Sequence, residues 1–558
     1  MRYLSLLAFV VGLLNCLGFT AASQTAPTWN WTQQIGGTGR DRGVLSAADA
    51  SGNIYQTGSF VGTLQVGATV MNSAPLDMYL VKYNRQGVAQ WAQQARVQNA
   101  NGQARAEGIT VVTDPAGNVY VAGTYNGTVT FGALMLTSTS GAANMFVVKY
   151  TSQGTPVWAI TSSSTGSSTS RTDPSGLAAT TSGEVFVSGL FMGTTNFAGL
   201  SATSQGGFDV FLVKLTANGV PQWIRSGGGT GTDYAAALAV APNNGVYMSG
   251  GLSGTATFGS LAAISRGGVD AFLMQYDSQG TPQWLQTYGG SSDDGASILA
   301  TATNGELYMV GYFQATAYFG NYTLLSQGAN DGFVVKCTAQ GTPLWANSMG
   351  GTGTDGTYGA AWSPSGALYV AGTFSSTASF GTQRKTSAGG TDVFVARYED
   401  SGALSWVEQC GGPNNDYSAG VAAGTNGTVF VGGQFSGTAQ FGPLALVSRG
   451  LEDGFIFQLQ DNVVTSTHSL AKADGYEVYP NPLTPSTSLI LTLPVAMREP
   501  ATIEILDMIG KTLQRLRVQP SEIIGNRVII GELPVASGTY LMKYTSPSIS
   551  ISKRVQVQ

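Results

Sequence analysis

Histidine is almost missing from this chain: His468 is the only one in 558 residues. That removes Ser-His-Asp triads, Cys-His pairs and histidine-ligated zinc together, because each needs an imidazole at its centre. Cysteine is scarce as well, with only Cys16, Cys337 and Cys410, too few for a disulfide framework. Charge is thin: 26 Lys+Arg against 31 Asp+Glu leave a net −5 spread without long runs. Nothing resembles the basic footprint of a nucleic-acid binder. Beyond residue 23 no stretch offers the roughly 18 consecutive apolar residues of a transmembrane helix. There is no D-x-D-x-D-G calcium loop and no S-x-D-x-G-x-x-W sialidase box. No metal or cofactor is implied.

What is abundant points one way. Glycine reaches 76 residues, beside many Thr, Ser and aromatics, a composition suited to an all-β chain with tight turns. The first residues form a separate element. Arg2, the apolar run Leu4 to Phe19 and the small residues Ala21 and Ser23 predict a secretory signal peptide over 1–23, cleaved before Gln24. A lipoprotein reading would use Cys16, but Asn15 fits poorly before a lipidated cysteine. Cys337 and Cys410 stand at positions where other copies of the repeat below carry Tyr, Ile or Met, so both read as core fillers on strands. Whether they pair is open.

A tryptophan recurs at Trp31, Trp91, Trp158, Trp223, Trp284, Trp345 and Trp406, at a spacing near 61 residues. Behind it come a Gly-Gly-x-x-x-Asp segment ending at Asp41, Asp233, Asp294, Asp355 and Asp416, a short small-residue strand, and a β-rich run such as NVYVAGTY or ELYMVGYF. A phenylalanine-led corner follows at Phe131, Phe197, Phe258, Phe319, Phe380 and Phe441, with Val66 in the first copy. A strand such as DVFLVKL or DGFVVKC closes the unit. The repeated Asp reads as a turn holder, bonding amides two residues on, rather than as a calcium ligand.

The repeat begins halfway through its own unit. The strand at Trp31 has no partner before it, and the seventh closing strand, ending near Leu459, has no Trp strand after it. The two orphans complete each other if the N-terminal strand is the outer strand of the last blade, which leaves no free edge. This predicts a seven-bladed β-propeller over 24–460. The D-x-F-V-V-K-Y, W-x-x-x-x-G-G and G-N-x-Y-V-x-G patterns over residues 29–460 resemble the SBBP family of bacterial β-propeller repeats. The resemblance implies the fold and carries no catalytic residues.

After Gln460 the repeat stops. Residues 461–475 read as a polar linker, and 476–558 as a small Ig-like β-sandwich of about seven short strands. Tyr479-Pro480-Asn481-Pro482, Ile505-Leu506-Asp507 leading to Gly510-Lys511, Ser537-Gly538-Thr539-Tyr540 and Lys553-Arg554-Val555 resemble the type A sorting domain of the bacterial type IX secretion system. The resemblance implies export through the inner membrane, folding in the periplasm, passage across the outer membrane, removal of the domain, and cargo released or held on surface lipopolysaccharide. Lys511, Lys543 and Lys553 are export determinants or ordinary edge-strand charges.

Two copies depart from the pattern. The segments ARVQNANGQARAEG and SSSTGSSTSRTDPSG replace the Gly-Gly turn and lengthen the second and third Trp-to-Gly spacings from 27 residues to 32 and 31. In neighbouring blades they should share one rim and gather Arg96, Asn99, Asn101, Gln103, Arg105, Ser168, Arg171 and Asp173 into a patch for a glycan, an anionic polymer or a peptide. Neutral drift in surface loops is the bland alternative. Irregular carboxylates are few: Glu107, Asp173, Glu306, Glu408 and Glu452. The expected role is thus an exported binding, adhesion or scaffolding module. A carboxylate-dependent polysaccharide hydrolase or lyase and a purely structural surface protein stand as alternatives.

Overall fold

The computed structural model describes residues 26–462 apart from 99–103, 139–142 and 167–168. It also describes 477–557 apart from 482, 485–487, 494–499, 508–511, 524–526, 532–537 and 547–549. The expected signal peptide, most of the expected linker and His468 lie outside these residues. The chain divides into two compact units, 1–463 and 464–558. Among the described residues every regular element is a strand, apart from two 3₁₀ turns at Thr425–Gly427 and Pro520–Glu522.

The first unit repeats a four-stranded antiparallel module. In the fifth copy the strands are Gly295–Thr301, Leu307–Phe313, Asp331–Cys337 and Pro343–Gly351. Every residue of Asp331–Cys337 is buried, as are all but one of Leu307–Phe313. Both faces of these middle strands are covered by neighbouring modules, which is why they read as continuous apolar runs rather than as alternation. The Trp strand Pro343–Gly351 is only half-buried until it reaches Met349.

Seven modules follow one another. Their first strands lie side by side in order: Arg42–Ala48, Arg105–Thr113, Arg171–Ala179, Tyr234–Val240, Gly295–Thr301, Gly356–Trp362 and Tyr417–Ala423, the last lying against the first. The N-terminal strand Thr28–Gly37 pairs antiparallel with the final closing strand Asp453–Gln460, with Trp31 opposite Gln458 and Gln34 opposite Phe455. The two orphan halves meet.

The extra residues of the long repeat form a hairpin at the phenylalanine corner, and that hairpin reaches the preceding module. Gly289 and Gly290 pair with Tyr318 and Ala317 of the next copy, Gly36 and Gly37 with Gln65 and Leu64. A Cβ on Gly290 would lie 1.8 Å from the Thr316 carbonyl oxygen, so this crossing admits only glycine. The expected turn geometry is corrected here. Asp294 does not bond amides two residues on. One carboxylate oxygen accepts from Gly290 N–H, four residues back, at 2.6 Å, and the other from Gln314 N–H at 3.1 Å. The Asp therefore ties the end of the Trp strand to the next module's hairpin.

Cys337 and Cys410 are free and buried, in separate apolar clusters. The second unit has two sheets, one from Glu477–Tyr479, Leu489–Thr492 and Arg527–Gly531, the other from Ala501–Leu506, Thr512–Val518, Gly538–Thr545 and Ser550–Val557. Leu489, Leu491, Val528 and Ile530 of the first share one core with Ile503, Ile505, Met542, Tyr544 and Val555 of the second.

Candidate functional site

Of the expected rim patch, Arg96, Arg105, Arg171 and Asp173 are described; Asn99, Asn101, Gln103 and Ser168 lie outside the described residues. Arg96 sits late in the strand Ala89–Gln98, opposite Thr130 of the next module's hairpin. Arg105 opens the inner strand Arg105–Thr113, its N–H bonded to the Asn126 side chain at 2.7 Å. Arg171 opens the neighbouring inner strand and donates to Asp173 at 2.5 Å, with its guanidinium 5.7 Å from the centre of the Phe208 ring. Asp173 thus has its ionic partner within its own strand.

One residue from each inner strand (Ser46, Thr110, Ser175, Ala237, Leu299, Ala360 and Val421) lines a single cavity of about 190 Å³. None of its lining residues carries an ionisable group. A pair of catalytic carboxylates facing each other there would have favoured the hydrolase reading. Elsewhere Glu306 is paired with Lys336 at 2.7 Å, and Glu452 with Arg40 at 3.3 Å.

The carboxylates that matter are paired along the repeat. Where the Gly-Gly segment is present, its Asp stands beside the Asp that opens the closing strand, as in Asp209 with Asp233, Asp270 with Asp294, and Asp392 with Asp416. Between the members sits a glycine, as at Gly289, where an added Cβ would lie 2.8 Å from both Asp270 Oδ1 and Asp294 Oδ2. Burial pushes Asp294 and Asp416 up to about 7, and Asp41, Asp209, Asp331 and Asp392 up to about 6. Bonds from backbone amides oppose the rise, and in most of them the neighbouring carboxylate adds to it. Sequence reading saw both aspartates in their own motifs and missed that they meet.

In the second unit the residues of the Pro-Asn-Pro motif serve the terminal strand. Asn481 Oδ1 accepts from Gln556 N–H at 2.9 Å, and Leu483 N–H donates to the Gln556 carbonyl at 2.7 Å. Gly538 and Tyr540 pair with Val557 and Val555, and Lys553 with Met542. A Cβ on Gly538 would come within 3.3 Å of the Tyr540 hydroxyl. Pro480 is half-buried; Pro482, Gly510 and Lys511 lie outside the described residues. Residues 477–558 match the family described as the secretion system C-terminal sorting domain.

They are a type IX sorting domain. The sorting domain implies recognition by the secretion machinery and marks the chain for the cell surface or the medium. No helix among the described residues is long and apolar enough to cross a membrane. The chain also has distant relatives. An uncharacterized WD repeat-containing protein of Acanthamoeba polyphaga mimivirus is 24% identical over 465 residues, 66% of this chain and 32% of the relative. The regulatory protein FlaEY of Caulobacter vibrioides is 29% identical over 300 residues, 48% of this chain and 30% of the relative. The chain thus spans about a third of the length of these relatives. A solved structure of PorZ, a surface component of the type IX secretion system of Porphyromonas gingivalis, covers 94% of this chain and 75% of its own at 13% identity. Its TM-score of 0.26 is too low to carry an argument.

Proposed function

We propose that residues 24–460 form a seven-bladed β-propeller of the SBBP repeat type, exported behind a cleaved signal peptide (1–23). Residues 461–475 are the linker to the sorting domain (476–558). The propeller acts as a binding or scaffolding module on the cell surface or outside the cell. The observation that carries this reading is a sorting domain joined to seven like modules whose first and last members pair through Thr28–Gly37 and Asp453–Gln460. Such a ring is a rigid support for loops on two rims. The two long segments lead into adjacent inner strands, Arg105–Thr113 and Arg171–Ala179, which supports a shared patch for a glycan or protein.

Export is tested in a bacterium that possesses type IX machinery. The full chain becomes accessible to protease on intact cells or reaches the medium, and a chain ending at residue 463 stays in the periplasm. Surface delivery of the shortened chain overturns the proposed route. The rim patch is tested on glycan and protein arrays with the full chain and a variant whose long segments are trimmed to the 27-residue spacing. Binding lost on trimming supports the patch. Silence from both leaves the purely structural role.

A further inference from the structure

One position of the repeat behaves differently in a single copy. The sixth position of the closing motif (D-M-Y-L-V-K-Y and its counterparts) holds Lys82, Lys149, Lys214, Gln275, Lys336, Arg397 and Gln458 in turn. The first six are all hydrogen-bonded. Lys82 donates to the Ser152 carbonyl at 3.0 Å, Lys149 to Ala217 at 3.4 Å and Lys214 to Ser278 at 3.3 Å, each a turn of the next module. Lys336 reaches the Asp400 carboxylate and Arg397 that of Asp461, both at 2.6 Å. Gln275 accepts from Trp284 Nε1 at 2.9 Å. Gln458 is only 5% exposed, and its carboxamide has no hydrogen-bond partner among the described residues.

That carboxamide lines a cavity of about 490 Å³ between the last module and the first, within the usual volume range of ligand sites. The surroundings match the other junctions: Trp31 Nε1 donates to the Arg85 carbonyl at 3.0 Å, as Trp91 does to Ser152 at 3.1 Å. What differs is the side chain that elsewhere closes the gap. In five of the other six copies a lysine or arginine extends across to the next module; Gln275, the sixth, holds the indole of its own Trp284 instead, and the seam glutamine does neither.

We propose that this seam cleft binds a short neutral saccharide. Its lining supplies five carboxamides, from Asn30, Gln86, Asn426, Gln458 and Gln460. A carboxamide offers donors and acceptors together, which is what a sugar hydroxyl needs, since it also does both. No carboxylate and no aliphatic side chain lines the cleft; its apolar surface comes from Trp31 and its only cation is Arg85. A peptide would need apolar pockets or a run of unpaired backbone; the cleft has no aliphatic pocket, and addition of a peptide strand to the outer edge of Thr28–Gly37 is the competing outcome that the test below separates. Gln460 is held by its bond to the Asn426 carbonyl at 2.6 Å, so part of the site is set before any ligand arrives. Strand direction puts the cleft, at the C-terminal ends of inner strands, on the opposite rim from the two long segments.

This inference rests on the binding reading above and is tested apart from it. The full chain is titrated by calorimetry with glucose, galactose, mannose, N-acetylglucosamine and their linear oligomers. At least one binds, trimming the long rim segments leaves the affinity unchanged, and Gln458→Lys weakens it tenfold or more. The lysine is the repeat's own choice at this position, so the melting temperature of Gln458→Lys holds or rises. Gln458→Ala and Arg85→Ala weaken binding without filling the cleft, and carry the test if the lysine variant misfolds. The proposal is overturned if no saccharide binds, if binding survives Gln458→Lys, or if a peptide library binds there in a saccharide's place. Failure of export in the earlier experiment would leave this outcome untouched.

Discussion

Gln34 Nε2 donates to the carboxylate of Asp453 at 2.6 Å, across 419 positions of sequence. The same bond occurs inside the first module, from Gln94 to Asp77. The contact that joins the two ends of the first unit is therefore an ordinary internal contact of the repeat, made between residues near its two ends.

Gln34→Leu withdraws a donor from a buried carboxylate. We expect a loss of about 1–3 kcal/mol, read as a lower midpoint in calorimetry of the full chain. Removing residues 26–37 leaves the strand Asp453–Gln460 with an unpaired edge, and size-exclusion chromatography should then show association. An undisturbed monomer with unchanged stability would contradict the joining role.

Acidity should stabilise the first unit. Six aspartates hold their protons up to pH values of about 6 to 7 when folded, against about 3.9 in an unfolded chain. The folded state then binds more protons across that window. Stability is greatest near pH 4 and falls as pH rises through 6 to 7. Asp392→Asn copies the asparagine that the second module carries at Asn144. It should raise the melting temperature most at pH 8, by less at pH 5, and leave it nearly unchanged only below about pH 4. A melting temperature that rises steadily from pH 5 to 8 would reject the paired-carboxylate account.

Neither Cys337 nor Cys410 should react with an aromatic disulfide reagent while the chain is folded. Burial pushes the Cys337 thiol up to about 12 and Cys410 well above its ordinary value, so little thiolate forms. In denaturant both should titrate as free thiols without prior reduction. Thiols that appear only after reduction would reveal a disulfide.

Asn481→Ala removes the acceptor for Gln556 N–H. The cost should be about 1 kcal/mol in the second unit, with faster hydrogen exchange at the Gln556 amide. Unchanged exchange would mean that the motif's asparagine serves recognition by the export machinery rather than the terminal strand.

Much of the fold was legible because a repeat states its rules several times. Trp31 without a preceding partner and Leu459 without a following one pointed to the pairing of Thr28–Gly37 with Asp453–Gln460. The Gly-Gly-x-x-x-Asp segment was found, but its role was misread as a local turn. Its partners are Gln314 and Thr316, about twenty residues on and in the next module, and one module alone does not reveal how the next lies against it. Arg171 and Asp173 were expected in a rim patch; two residues apart on one strand, their side chains share a face and pair with each other, a contact the spacing alone did not announce.

By itself the sequence determined the strands, their order and the sorting domain, because apolar runs, glycine turns and the Pro-Asn-Pro motif act over a few residues. It also displayed Gln458 in a column of four lysines, one arginine and one other glutamine, Gln275. Only the tertiary structure decided what Gln458 means. A lysine closes a junction by reaching a carbonyl in the next module, and whether a shorter side chain leaves a cavity depends on the distance between two strands far apart in the chain. That distance is set by how the first and last modules pack against each other.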